Sequence, residues 1–320
     1  MFISFVVRAV SIISFAKQSF SFANMSNSNL YLTKARQCVP LLTNDMHKGQ
    51  AGRIGVVGGS FEYTGAPYFA GISALKLGAD IVHIFCSHDA AIPIKSYSPE
   101  LMVHPVLDDP NHSIDLIKPW LDRLHVLVIG PGLGRDPKVF ATIRQLFSVC
   151  RELKKPLVID ADGLFLLSQD LSLIVNYPGA ILTPNVVEFT RIFGDDGSDS
   201  QIKKIDALGP SVSILKKGFV DNIYSGVNKT SNVVNVEGGK ARRCGGQGDI
   251  LSGCTAVFYA WALRTMPGDS SEAAKVASVG ASHFVKALNT ITFEEKGRSM
   301  TASDMIDRIH TVFDEQFEHK

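Results

Sequence analysis

The sequence predicts an α/β fold, a three-layer αβα sandwich whose central sheet is mostly parallel. Three observations carry that expectation. Short apolar runs rich in β-branched residues alternate with longer helical patterns along most of the chain. Those runs lack a strict in–out alternation, which suits strands covered on both faces. Glycines or polar residues follow directly after several of them, where open α/β sheets bind ligands.

Taken in order, "RIGVVGGS" is a strand ending in glycines, and a helix follows through "APYFAGISALKLGAD". "DIVHIFC" and "HVLVIGPGLG" are the next strands, and a helix runs through "VFATIRQLFSVC". "KPLVIDADGL", "GAILTPN" and "VSILKKG" are three more strands, each running into a turn. Strands alternating with helices call for βαβ crossovers and a parallel sheet. "ILSGCTAVFYAWAL", Ile250 to Leu263, is apolar on most faces and reads as a buried helix. "GDDGSDS" (Gly194 to Ser200) reads as a polar loop rather than a linker, and no internal repeat is evident, so residues 29–320 are expected to form one domain. Four clusters, Gly58 to Ser60, Gly130 to Gly134, Asp160 to Gly163 and Thr183 to Asn185, should line one crevice at the carboxyl ends of the strands.

Composition narrows the function. A net charge of +1 over 320 residues argues against a nucleic-acid protein. Five scattered cysteines without ligand spacing fit a reducing compartment. No apolar run reaches the roughly 20 residues of a membrane span. Residues 1–28 differ from the rest: they carry Arg8 and Lys17, abound in serine and phenylalanine, and the first acid of the chain is Asp45. That composition reads as a targeting leader for mitochondria, with a secretory signal as the rival that Arg8 weakens. Met25 offers a second start and a cytosolic form.

The densest chemistry lies in "RRCGGQGDILSG", Arg242 to Gly253. Gly245, Gly246 and Gly248 form a loop entering the buried helix, where unpaired N–H groups and the helix dipole attract an anion. Asp249 is either a helix-capping carboxylate or a base that takes a proton from a hydroxyl attacking phosphate. Arg242 and Arg243 supply charge for phosphate.

This loop resembles the anion hole and catalytic aspartate of ribokinase-like kinases, and "RRCGGQGD" is similar to the ATP-dependent NAD(P)H-hydrate dehydratase family. "HKGQAGRIGVVGGS", "EYTGAPYFA", "IKSYSPEL", "VIGPGLGRDP", "VIDADGLFLL" and "LTPNVVEF" precede it in the family's order. The resemblance implies a carbon–oxygen lyase of metabolite repair, returning (S)-NADHX and (S)-NADPHX to NADH and NADPH. It further implies that ATP phosphorylates the hydrate's hydroxyl and that phosphate then leaves, with release of ADP. It places substrate at Gly132, at Asn185, Val186, Val187, Glu188, Phe189, Thr190 and Arg191, and at the catalytic Asp249. It places ATP at Lys217, Gly218, Phe219, Val220 and Asp221. The second ATP segment is Gly239, Lys240, Ala241, Arg242, Arg243, Cys244, Gly245, Gly246, Gln247 and Gly248. Mg²⁺ is the expected companion of ATP, with Glu188 acting through water or the metal.

Local readings stand beside these roles. "GPGLG" suits a tight turn. Asn185 and Glu188 have capping-box spacing. Asp160 and Asp162, two apart after a strand, face one side if the chain stays extended. "HKGQ" and "EYTGAP" are expected to help enclose the substrate. The histidines show no metal-ligand spacing, and Trp120 and Trp261 read as packing residues. Partners are small molecules, with no nucleic acid and no membrane span, and a homo-oligomer is left open. A ribokinase-like kinase of a small metabolite alcohol and a nucleotide-sensing binder are the rival functions.

Overall fold

The computed structural model describes residues 27–195 and 197–318, so the expected leader, apart from residues 27 and 28, and the Met25 start lie outside the described residues. Seven parallel strands come first: β1 (Arg53–Val57), β2 (Ile81–Cys86), β3 (Met102–Pro105), β4 (Val126–Ile129), β5 (Leu157–Ile159), β6 (Ala180–Leu182) and β7 (Val212–Lys216). An antiparallel hairpin, β8 (Asp221–Tyr224) and β9 (Val234–Val236), extends the sheet at the β7 side. The order is β3-β2-β1-β4-β5-β6-β7-β8-β9. Strand order reverses at β1, and that reversal opens a crevice between the β1 and β4 carboxyl ends.

Successive strand residues feed two cores. Val126 and Val128 join one, and Leu127 and Ile129 the other. Period-2 side-chain placement with both faces covered makes every position apolar. One face carries α1 (27–38), α2 (Gly65–Leu77), α3 (His88–Tyr97), α9 (Gln247–Thr265), α10 (Ser270–Lys296), α11 (Ala302–Asp307) and α12 (Ile309–Gln316). The other carries α4 (Ser113–Leu121), α5 (Pro137–Glu152), α6 (Ala161–Gln169), α7 (Val186–Phe193) and α8 (Asp199–Asp206).

Helix α9 is the central packing element of its face. At Gly253 its backbone rests directly on the backbone of Ala70 in α2, and a Cβ there would run into the Ala70 carbonyl. Helix α1 is tied to α10 by Ser28 Oγ against His283 Nε2 at 2.7 Å and by Lys34 Nζ to Glu272 Oε1 at 2.5 Å. No helix of the described residues is long and apolar enough to cross a membrane.

The architecture holds elements that the sequence reading did not mark. Strand β3, "MVHP", is short and carries a histidine, while β8 and β9, "DNIY" and "VNV", alternate polar with apolar residues. "GDDGSDS" is not wholly a loop, because Ser198 caps α8 by accepting from Gln201 N and the helix starts at Asp199.

Candidate active site

The four clusters after β1, β4, β5 and β6 do converge. Gly59 N donates to Gly132 O at 3.1 Å, Asp160 N donates to Ile129 O at 3.0 Å, and Thr183 N donates to Ile159 O at 3.0 Å. Gly132 has φ +60°, and a Cβ there would come within 2.5 Å of Tyr63 O. "EYTGAP" therefore meets the crevice, and only glycine fits between. "HKGQ" does not. It precedes β1, at the opposite end of the strands, where Asp80 Oδ2 accepts from Gly49 N and Ala51 N. A segment at the amino ends of the strands cannot enclose a ligand at their carboxyl ends.

A charged cluster forms the crevice floor. Asp160 is buried at 1% exposure, and its Oδ1 lies 2.7 Å from Lys217 Nζ, which is also 4.0 Å from Glu188 Oε2. Lys217 is fixed at the end of β7 because its N–H donates to Pro184 O at 2.7 Å. The first turn of α9 closes over it: a Cβ on Gly248 would lie 3.4 Å from Lys217 Nζ and 3.9 Å from Asp160 Oδ2. Asp249 follows in the same turn. Burial pushes its carboxyl up to about 8; the Asp160 charge adds to the shift and the Lys217 ammonium opposes it. Burial also raises the Glu188 carboxyl, against the pull of Lys217. Burial works against the charged form of Lys217, yet Asp160 and Glu188 outweigh it and hold the ammonium charged. Three carboxyls around one ammonium leave negative charge in excess, which favours the protonated form of Asp249.

The choice between cap and base at Asp249 turns on the helix start. The N-cap of α9 is Gly246, at φ +93° with no side-chain cap. Phe69 and Ala302 leave no room for a Cβ there, the latter at 2.6 Å. Asp249 is thus not the N-cap; its carboxylate accepts from its own N–H in the first turn and faces the charges of Asp160, Lys217 and Glu188. Asn185 and Glu188 do form a reciprocal capping box, with bonds of 2.9 and 2.8 Å. The box holds Glu188 Oε2 at 4.0 Å from Lys217 Nζ, so the cap and a place beside the charged cluster are compatible.

A cleft of about 640 Å³ adjoins the cluster. From the expected ATP segments it is lined by Lys217, Gly218, Phe219, Asp221, Gly239, Arg243, Cys244, Gln247 and Gly248, and from the expected substrate segment by Asn185, Val186 and Val187. Several expected residues stand apart. Phe189 is in the core at 0% exposure, against Phe193 and Tyr224, so its side chain reaches no ligand. Thr190 is exposed on α7, and Arg191 sits over the Phe165 ring at 5.7 Å. Arg242 donates to the Arg243 and Met300 carbonyls, at 3.1 and 3.4 Å, rather than lining the cleft. Lys240 pairs with Glu294 at 3.0 Å, Ala241 and Gly245 are exposed, and Val220 is half-buried in the turn before β8. Asp221 lines the cleft but is buried, and its carboxylate is taken by Gly218 N, Ser282 Oγ and Lys286 Nζ.

Asp160 and Asp162 diverge instead of sharing a side. Ala161 adopts φ +46° and α6 begins there, so Asp160 turns to Lys217 while Asp162 accepts from Gly134 N at 3.0 Å and pairs with Arg135. Sequence reasoning missed Ser282, Lys286 and Asn289 of α10, which line the cleft from one helix face. Their signal was present: polar residues spaced four and three apart in a mostly apolar stretch. His83 and His104 meet at 2.9 Å against Trp120, and among the described residues no group of three or more His, Cys, Asp or Glu is arranged to hold a metal.

Comparison with known proteins bears on family and fold. The profile of a family described as NAD(P)H-hydrate dehydratase matches residues 54–311. An Aedes aegypti protein named ATP-dependent (S)-NAD(P)H-hydrate dehydratase is 56% identical, covering 93% of this chain and 89% of its own. The human protein of that name is 45% identical over 94% of this chain and 88% of its own. Among solved structures, ADP/ATP-dependent NAD(P)H-hydrate dehydratase from Bacillus subtilis, co-crystallized with ATP/Mg²⁺, superposes with TM-score 0.65 at 20% identity, over 90% of this chain and 97% of its own. A ribokinase-like superfamily protein from Enterococcus faecalis superposes with TM-score 0.71 at 19% identity, over 89% and 94%. These structural likenesses speak for the ribokinase-like fold, and the profile with the close relatives speaks for the rest: the chain belongs to the NAD(P)H-hydrate dehydratase family.

Proposed function

We propose that this protein dehydrates (S)-NADHX and (S)-NADPHX to NADH and NADPH at the expense of ATP. The observation that carries the reading is Asp249: a carboxyl in the first turn of α9, pushed up to about 8 by burial, at the glycine-loop entrance beside the cleft. The triphosphate lies along the Gly245–Gly248 loop, whose N–H groups and helix dipole favour an anion. Ionised Asp249 takes the proton of the hydrate's ring hydroxyl as that oxygen bonds the terminal phosphorus, and ADP leaves. Phosphate then departs with the carbon–oxygen bonding pair, and loss of a proton from the adjacent ring carbon restores the double bond. Hydroxide is a poor leaving group and phosphate a good one, which is why a kinase-like site suits a dehydratase.

Mg²⁺ does not fit a cage made of these side chains alone, because the Lys217 ammonium already stands between Asp160 and Glu188. The ion would come with the triphosphate, whose charge it screens. The acid-free segment before Met25 supports delivery to mitochondria, checked by locating fluorescent fusions starting at Met1 and at Met25.

The deciding experiment incubates purified protein with hydrated cofactor and ATP and follows the absorbance of reduced nicotinamide. Recovery of that absorbance with stoichiometric ADP and phosphate is expected. A stable phosphorylated product with no recovery would instead make the protein a metabolite kinase.

A further inference from the structure

We propose that Lys286 is a positioning residue that sets the width of the nucleotide cleft by tying its two walls to helix α10. The inference rests on the reading of that cleft as the ATP site. Lys286 is 9% exposed, although its side chain lines the cleft. Its ammonium points at the backbone of both walls: Phe219 O at 2.9 Å and Gly218 O at 3.3 Å on one, and Gly238 O at 3.5 Å on the other. Asp221 Oδ1, at 3.4 Å, supplies the counter-charge. That carboxylate accepts in turn from Gly218 N at 2.8 Å and from Ser282 Oγ at 2.7 Å, one turn before Lys286 on the same helix face.

Asn289, the next residue on that face, continues the tie along the second wall. Its Oδ1 accepts from Lys240 N at 2.6 Å, and its Nδ2 donates to Arg242 O at 3.3 Å. The second wall needs such anchorage. Gly238 and Gly239 both have positive φ, and the chain from there to α9 has no regular structure of its own. An ammonium whose donors are used by carbonyls and a carboxylate has none to spare for phosphate. Lys286 thus acts through the loops, not on the ligand.

Three variants test this: Lys286→Met, which keeps the stem and loses the charge; Lys286→Arg; and Lys286→Met with Asp221→Asn, which leaves no buried charge behind. ATP affinity is measured by calorimetry without hydrate, and KM and kcat are measured in the coupled reaction. Lys286→Met is expected to weaken ATP by on the order of 10- to 100-fold, the scale of losing charge-assisted hydrogen bonds. The hydrate KM and the kcat at saturating ATP should stay near wild type, and Lys286→Arg should recover part of the affinity. If Lys286→Met does not fold, the double variant is read against Asp221→Asn alone: ATP weakened further than by that single change sustains the inference, and equal affinity of the two overturns it. Equal losses for ATP and hydrate, or a fall in kcat with ATP affinity intact, would also overturn it. Because ATP binding is read without hydrate, a protein that binds ATP but never restores reduced nicotinamide refutes the dehydratase reading and leaves this one standing. A wild-type protein that binds no ATP refutes both.

Discussion

Asp160 Oδ1 and Lys217 Nζ lie 2.7 Å apart beneath the first turn of α9, with the Asp160 side chain only 2% exposed. Neither charge is tolerable there alone. Lys217→Met leaves Asp160 buried without its partner, and stability should fall by about 3–5 kcal/mol in denaturant unfolding. Adding Asp160→Asn removes the orphaned charge and should recover most of that loss. A single variant as stable as wild type would show that the pair is a solvated contact.

Asp249→Asn keeps the shape and removes the base. Turnover should fall by roughly 100- to 10,000-fold, the usual share of general-base catalysis, while ATP affinity is retained. Asp249→Ala should cost similarly in rate and lose no helix cap, since Gly246 occupies that position. Normal turnover by the asparagine variant would move the base elsewhere.

The raised carboxyl of Asp249 also dictates pH behaviour. A base is active when ionised, so kcat/KM for the hydrate should fall about tenfold per unit as pH drops below about 8. Stability runs the other way. Between the ordinary value of 3.8 and about 8 the folded chain holds a proton that the unfolded chain has released. Stability from this group is therefore full below 3.8 and is lost as pH rises through about 8. Asp249→Asn should flatten that slope in a series of melting curves, and an unchanged slope would count against the shift.

The two arginines of the loop should separate. Arg243 lines the cleft and Arg242 donates to the Met300 carbonyl behind it. Arg243→Ala should weaken ATP binding in a titration. Arg242→Ala should lower the melting temperature while ATP binding stays close to wild type. Equal effects on ATP would mean that both guanidiniums serve the phosphates.

What the sequence made legible follows the range of each interaction. β1, β2 and β4–β7 were readable because burial on both faces makes a strand uniformly apolar, and the glycine clusters marked their carboxyl ends. β3 and the β8–β9 hairpin lie at the sheet edges, where polar residues dilute that signal. The capping box at Asn185 and Glu188 is local and was readable from its spacing. The ion pair of Asp160 with Lys217 joins residues 57 apart, and nothing in either segment announces the other. Phe189 shows the limit of a motif: its neighbours Val186 and Val187 are exposed to the cleft, while helical periodicity turns Phe189 into the core.

Gly253 lies one helical turn beyond Asp249, on the same side of α9, at the spot where the helix touches the Ala70 backbone. The helix is therefore a lever whose fulcrum is a missing side chain. A single methyl at position 253 has no cavity to enter and would lift α9 off α2, carrying the carboxyl with it. Displacements near 1 Å can cost about 100-fold in rate. Enzyme made with Gly253→Ala would then be recovered folded, bind nucleotide, and turn over poorly, a lesion invisible to any inventory of groups that touch the ligand.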